Sequence, residues 1–127
     1  MKTLLLIALG GAIGAVLRHG ASWAAFRLAG NDFPWGTLGI NVGGGLAIGV
    51  LSGYLAHTGG WSQELRSFCI VGVLGGFTTF SAFSLESVLL WERGQQGAFL
   101  LYVSASVLLS ILAVALGLWL MRGGAAA

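Results

Sequence analysis

Gly75-Gly76-Phe77-Thr78-Thr79-Phe80-Ser81-Ala82-Phe83-Ser84 interrupts a stretch that is otherwise apolar from about residue 65 to residue 91. Each of the two adjacent glycines lowers helix propensity by about 1 kcal/mol relative to alanine, and the hydroxyls of Thr78 and Thr79 can cap a helix that restarts after them. The stretch predicts a broken helix. Its interrupted turns free carbonyls on the upstream side, which suit a cation, and N–H groups on the downstream side, which suit an anion. A glycine kink that serves packing alone is the other reading of the same residues. Non-helical backbone survives in hydrocarbon only where protein covers it or a watery cavity faces it, so the surroundings of the stretch decide between the two.

Those surroundings are a membrane. The chain has 127 residues, of which 57% are hydrophobic and 8% charged, too apolar for a domain with a wettable surface. A span takes about 20 apolar residues, which leaves room for about four spans and no soluble catalytic domain. The expected fold is an all-α membrane protein with four transmembrane helices, the third broken, forming a single transmembrane domain over residues 1–127. The helices are placed at about 3–28, 35–56, 65–92 and 98–122, with the only proline, Pro34, in the first connector. Short connectors make a hairpin bundle with both termini on one side. The start of the chain imitates a secretory signal, but apolar character runs on past Ala15 and the segment is expected to stay as the first span. Cys69 has no second cysteine to pair with and reads as a buried, inert thiol.

Glycine spacing points to close helix contacts. Gly10 and Gly14, Gly39 and Gly43, Gly45 and Gly49, and Gly49 and Gly53 are each four apart, the small-xxx-small pattern that lets backbones approach in lipid. Lining of a path by these glycines is the weaker alternative. Loop charge is nearly balanced, with Lys2, Arg66 and Arg122 on the side of the termini against Arg27 and Arg93 on the other. So small a bias fixes orientation poorly and predicts insertion both ways up, hence an antiparallel homodimer.

Enzyme chemistry finds no footing. Asp32, Glu64, Glu86, Glu92, His19 and His57 are scattered, with no paired carboxylates or HExxH spacing. Asn41-Val42-Gly43-Gly44-Gly45 lacks the Lys-Ser or Lys-Thr end of a phosphate loop. The net charge of +2 comes from few residues and no basic run, so no nucleic-acid partner is expected.

The residues after the break suit a path for anions. Phe80 and Phe83 share a helix face, and Ser81 and Ser84 the neighbouring one. The positive edges of phenyl rings attract a desolvated anion without trapping it as lysine would. Core or lipid-facing packing is the ordinary role of phenylalanine at this spacing. Asn41, the one amide of the second span, needs a partner or water, as interhelical glue or as a pore donor. Tyr102, Ser106 and Ser110, four apart, form a hydroxyl stripe on the fourth span that fits a polar track and small-residue packing equally. Arg18 and His19 read as snorkelling groups, with a vestibule role for Arg18 as the alternative, and Glu86 is open to pairing with Arg18 or another base.

The chain resembles the Fluc, or CrcB, fluoride channels of microbial membranes. The third-helix signature of that family, Gly-Gly-x-Thr-Thr-Phe-Ser-Thr-Phe, stands here as Gly75 to Phe83. The likeness extends to Gly14-Ala15-Val16-Leu17-Arg18 and to Trp35-Gly36-Thr37-Leu38-Gly39-Ile40-Asn41. It implies a dual-topology antiparallel homodimer in the cell membrane, with two fluoride pores that export F- passively. It also implies a structural Na+ at the dimer centre, held by backbone carbonyls of Gly75 and Thr78. Phe80 and Phe83 would contact fluoride, with Asn41, Thr37, Ser81, Tyr102, Ser106 and Ser110 along the pore and Arg18 and Glu86 at a vestibule. Two departures bear on rate rather than selectivity: Ala82 replaces the usual threonine, and Val114 ends the hydroxyl stripe after Ser110. The competing class is a small multidrug-resistance-type exporter, also of four short helices and antiparallel, which couples to protons through a carboxylate in its first helix. Residues 3–26 contain none. A structural or accessory membrane subunit, the third class, leaves the break without a purpose.

Overall fold

The computed structural model describes residues 1–123; the last four residues of the expected 1–127 domain lie outside the described residues. Helix α1 runs Lys2–Ala29 and α2 runs Trp35–Thr58. The third span, Gln63–Glu92, is composite: α3 (Gln63–Arg66), a π-helical stretch (Ser67–Leu74), α4 (Gly75–Phe77), two extended residues, and α5 (Phe80–Glu92). Helix α6 (Gln96–Gly123) completes four spans, each long and apolar enough to cross a membrane. The third helix is therefore broken at Thr78 and Thr79, whose ψ angles of 158° and 123° are extended. Connectors are short. Ser62 accepts the Leu65 N–H at 3.2 Å to start α3, and Gly94, at φ 74°, makes the tight turn from α5 into α6 that L side chains rarely adopt.

Two glycine seams hold the bundle together. In the first, α1 lies on the π-helical stretch and α4. A Cβ on Gly10 would stand 2.6 Å from the Phe68 carbonyl oxygen, and one on Gly14 only 2.1 Å from that of Val73. Gly72 and Gly76 meet α1 from the other side, and a Cβ on Gly76 would be 2.5 Å from the Gly11 oxygen. In the second seam, α2 lies on α6: a Cβ on Gly49 would stand 2.3 Å from the Val114 oxygen, and one on Gly117 2.6 Å from the Val50 nitrogen. Lipid offers no hydrophobic force between helices, so this backbone proximity supplies the dispersion contacts that hold them.

Gly39 and Gly43 depart from the small-xxx-small expectation. Both are exposed on α2, and a Cβ on either would meet nothing within 4 Å. The spacing that seats Gly45, Gly49 and Gly53 on α6 turns Gly39 and Gly43 onto another face of the same helix. Much of the outer surface is apolar and exposed, including Leu4, Val16, Leu100, Ile111 and Trp119, as a lipid-facing bundle requires.

Adding a single methyl group at the α2–α6 seam forces the backbones apart. Gly49→Ala is expected to lower resistance to SDS-induced unfolding by about 1–3 kcal/mol. Gly20→Ala, where a Cβ meets open space, is expected to unfold like the parent.

Candidate functional site

The break is held by a side chain from another helix. Asn41 Nδ2 donates to the Thr79 carbonyl at 2.8 Å, and the Thr79 N–H donates to Asn41 Oδ1 at 2.8 Å. The amide thus imitates a neighbouring strand and satisfies both polar groups of one extended residue. In a continuous helix the Thr79 N–H would close on Gly75 instead. Diverted to Asn41, it leaves the Gly75 carbonyl without that partner, and no bond outside the helical ladders ends on the carbonyls of Gly75, Gly76, Phe77 or Thr78. Gly44, one turn along α2 from Asn41, makes room beneath: a Cβ there would stand 2.3 Å from the Thr78 methyl group.

The two threonines divide the work that both were expected to share. Thr79 caps α5, its Oγ1 accepting the Ala82 N–H at 3.1 Å. Thr78 does not cap; its hydroxyl donates back to the Leu74 carbonyl at 3.0 Å, because its own position ends the preceding helix. Ala82 takes part through its N–H alone.

A cavity of about 410 Å3 opens beside the break. Its walls bring together Asn41, Gly75, Thr78, Thr79, Phe80, Phe83, Ser106 and Ser110, residues of α2, the third span and α6. Ser106 is 6% exposed, and the hydroxyls of Ser106 and Ser110 are buried without a hydrogen-bond partner. A buried hydroxyl without a partner is costly unless something enters the space to meet it. Both readings of the stripe meet at Ser110, whose backbone oxygen also lies against Gly45 in the α2–α6 seam.

Ring contacts lead away from this cavity. The Phe80 and Phe83 centroids are 5.5 Å apart, those of Phe83 and Tyr102 5.3 Å, and those of Tyr102 and Phe33 5.6 Å. Tyr102 is wholly buried. Its hydroxyl donates to Glu86 Oε2 at 2.6 Å, while Thr37 Oγ1 donates to Oε1 at 2.8 Å. The pairing with a base that the sequence left open for Glu86 gives way to this clamp: both carboxylate oxygens are taken by hydroxyls from α2 and α6, and no bond to Arg18 forms. Arg18 is half-buried on α1 and is not a wall of the cavity. Ser81 is exposed, its Oγ 3.4 Å from Thr79 Oγ1.

Interhelical glue was one of two sequence readings of Asn41, and only the fold names its partner, the backbone of the break. The clamp on Glu86 was missed, since the sequence reading left its partner open to Arg18 or another base and set Thr37 and Tyr102 along a pore.

The arrangement defines a multi-pass membrane protein with a broken third span beside a largely apolar cavity whose walls carry a few hydroxyls and one amide. The family described as "CrcB-like protein, Camphor Resistance (CrcB)" matches residues 5–118. The protein named "Fluoride-specific ion channel FluC" from Chelativorans sp. (strain BNC1) is 56% identical over 122 residues, covering 96% of this chain and 98% of its own. Proteins of the same name from Mesorhizobium japonicum and Rhizobium meliloti are 50% and 52% identical with the same coverage. The chain belongs to the CrcB family.

Removing the Asn41 amide strands two backbone groups at once. Asn41→Ala is expected to destabilise the bundle by about 1–3 kcal/mol for each group left unpaired, measured by SDS unfolding, and to speed hydrogen exchange at the Thr79 amide. Asn41→Asp keeps an acceptor for that N–H but loses the donor to the carbonyl, so the Thr79 amide should stay better protected than in Asn41→Ala.

Proposed function

We propose that two copies of this chain, inserted in opposite orientations, form a passive, fluoride-selective channel that releases F- accumulated in the cytoplasm. The observation that carries the reading is the cavity in which the partnerless hydroxyls of Ser106 and Ser110 face Phe80 and Phe83. A small, strongly hydrated anion needs donors to replace its water, and hydroxyls and ring edges supply them weakly enough for the ion to leave. The relatives named fluoride-specific ion channels support the choice of ion.

Each polar group has a part in this reading. Ser106 and Ser110 donate to the ion as it sheds water, and the spare N–H of the Asn41 amide adds a third donor while the other stays on Thr79. Phe80 and Phe83 present ring edges next along the path, and Tyr102 and Thr37 follow where their hydroxyls reach Glu86. Flux follows the electrochemical gradient.

The second copy is supported by what one chain leaves uncovered. Phe80 is 79% exposed although it faces the cavity, and Gly75, Gly39 and Gly43 lie bare. Interfacial anchors occur at both ends of the bundle: Arg27 lies 5.4 Å over the Trp23 ring at one, and Tyr54 and Trp61 are in edge contact at 6.5 Å at the other. Such symmetry of ends suits insertion either way up. A structural Na+ at the break is supported by its carbonyls, since unwound carbonyls suit a hard cation: that of Gly75 is spared by the diversion of the Thr79 N–H to Asn41, and that of Thr78 by the Thr79 hydroxyl taking the Ala82 N–H. These two carbonyls and the same pair from the second copy would hold it, and the ion would supply fixed positive charge at the dimer centre.

Liposomes loaded with KF and carrying the purified protein are expected to release F- to an external electrode on addition of a potassium ionophore. Chloride released as readily, or no release, overturns the proposal. Phe80→Ile is expected to abolish flux while the protein still elutes as a dimer; normal flux would remove the ring from the path. Ser106→Ala, which deletes a hydroxyl that has no protein partner, is expected to slow F- release yet shift stability by no more than about 0.5 kcal/mol.

A further inference from the structure

A second cavity lies at the end of the third span where the termini emerge. It measures about 610 Å3, and its walls are Trp61, Gln63, Arg66, Ser67, Ile70 and Val71. Ile70 is also a wall of the cavity at the break, so one side chain is shared by the two. Trp61 is half-buried, while Gln63 and Arg66 are exposed. The chamber is therefore open on the side of Gln63 and Arg66 and shares its Ile70 wall with the cavity at the break.

The winding of the third span creates this alignment. In the π-helical stretch, bonds close at i→i+5, so each turn takes more residues than the 3.6 of an α-helix. Residues four to five apart then share a face. Arg66, Ile70, Gly75 and Thr79 form one row, and all four are walls of one cavity or the other. Phe68, Gly72, Val73 and Phe77 fall in the opposite row, where Phe68, Val73 and Phe77 backbone atoms crowd Gly10 and Gly14 of α1. An α-helical winding would carry the row that starts at Arg66 through Val73 towards Phe77, and so into α1. The extra residue per turn directs Arg66 to the cavity side instead.

We infer that this chamber is an anion-gathering mouth of the pore and that Arg66 concentrates small monovalent anions in it, an inference that rests on the channel reading above. Arg66 carries the only formal charge among the walls. Glu64, two residues earlier, is not a wall, and Glu86 is held by hydroxyls farther along the chain. A guanidinium at the rim of a pocket bounded by an apolar bundle raises the local concentration of anions there. Its exposure keeps it hydrated, so it attracts ions without holding them, whereas the hydroxyls beyond Ile70 take over binding. Arg18, on α1, is a wall of neither cavity.

The test measures F- efflux from liposomes of zwitterionic phosphatidylcholine at low fluoride, in an impermeant background salt varied from about 0.01 to 1 M, over which the Debye length falls from about 30 to 3 Å. Arg66→Gln is expected to lower flux about threefold or more at the lowest salt, with the difference vanishing at the highest, as for a steering charge. Arg66→Lys should restore most of it, and Arg122→Gln, at the same end but outside the chamber, should behave as wild type. Wild-type flux with no effect of Arg66→Gln at any salt overturns the inference and leaves the channel reading intact. An equal loss in Arg122→Gln also overturns it, since any charge at that end would then suffice. A loss seen only when anionic lipid is added would assign Arg66 to lipid headgroups and overturn it likewise. A wild-type protein that carries no F- overturns the channel reading itself. A loss in Arg66→Gln that persists at high salt marks damage to the fold and refutes the steering role.

Discussion

The two hydrogen bonds between the Asn41 amide and the backbone of Thr79 are the constraint on which the centre of this protein depends. Without a partner, an extended residue in mid-membrane would present a bare N–H and a bare carbonyl to hydrocarbon. With it, the third span is interrupted at a defined residue, α5 starts afresh under the Thr79 cap, and the carbonyls just upstream are released from helical duty. The cavity walls follow from that interruption, because Thr78, Thr79, Phe80 and Phe83 reach one space only when the helix restarts along a new line.

The glycine seams supply the stiffness this arrangement needs. One fixes the first part of the third span to α1, and the other fixes α2 to α6. Asn41 therefore comes from one rigid pair of helices and Thr79 from the other. Their mutual bonds join the pairs across the bundle. The same division puts the hydroxyls of α6 and the phenyl rings of α5 on the walls of one cavity.

Much of this was legible in the residues. Four spans followed from apolar length, and the break from adjacent glycines before two threonines, since both signals are local. The π-helical winding was not legible: Ser67–Leu74 reads SFCIVGVL, apolar on almost every side, so no polar periodicity marks how many residues fill a turn. Nor could spacing name the partners of Asn41 and Glu86. Asn41 meets Thr79 across 38 residues and Glu86 meets Thr37 across 49, and such pairings are settled by which helices come together. Of the small-residue pairs, Gly45 and Gly49 could not be told from Gly39 and Gly43 until α6 was seen to cover one face of α2 and not the other. Thr78 and Thr79 are identical side chains in adjacent positions, and only the backbone angle at each decides which one caps.

The instructions for the break are written on two helices. Asn41 and Gly44, three residues apart on α2, meet Thr79 and Thr78 in turn, one through its amide and one through the side chain it lacks. The signature between Gly75 and Phe83 is thus half of a recognition code, and its other half is Asn-x-x-Gly. A protein engineer who transplanted the third-helix motif alone into another bundle would obtain a weakened helix rather than this break. Moving both halves together, in register, is the smallest unit of sequence that carries the geometry.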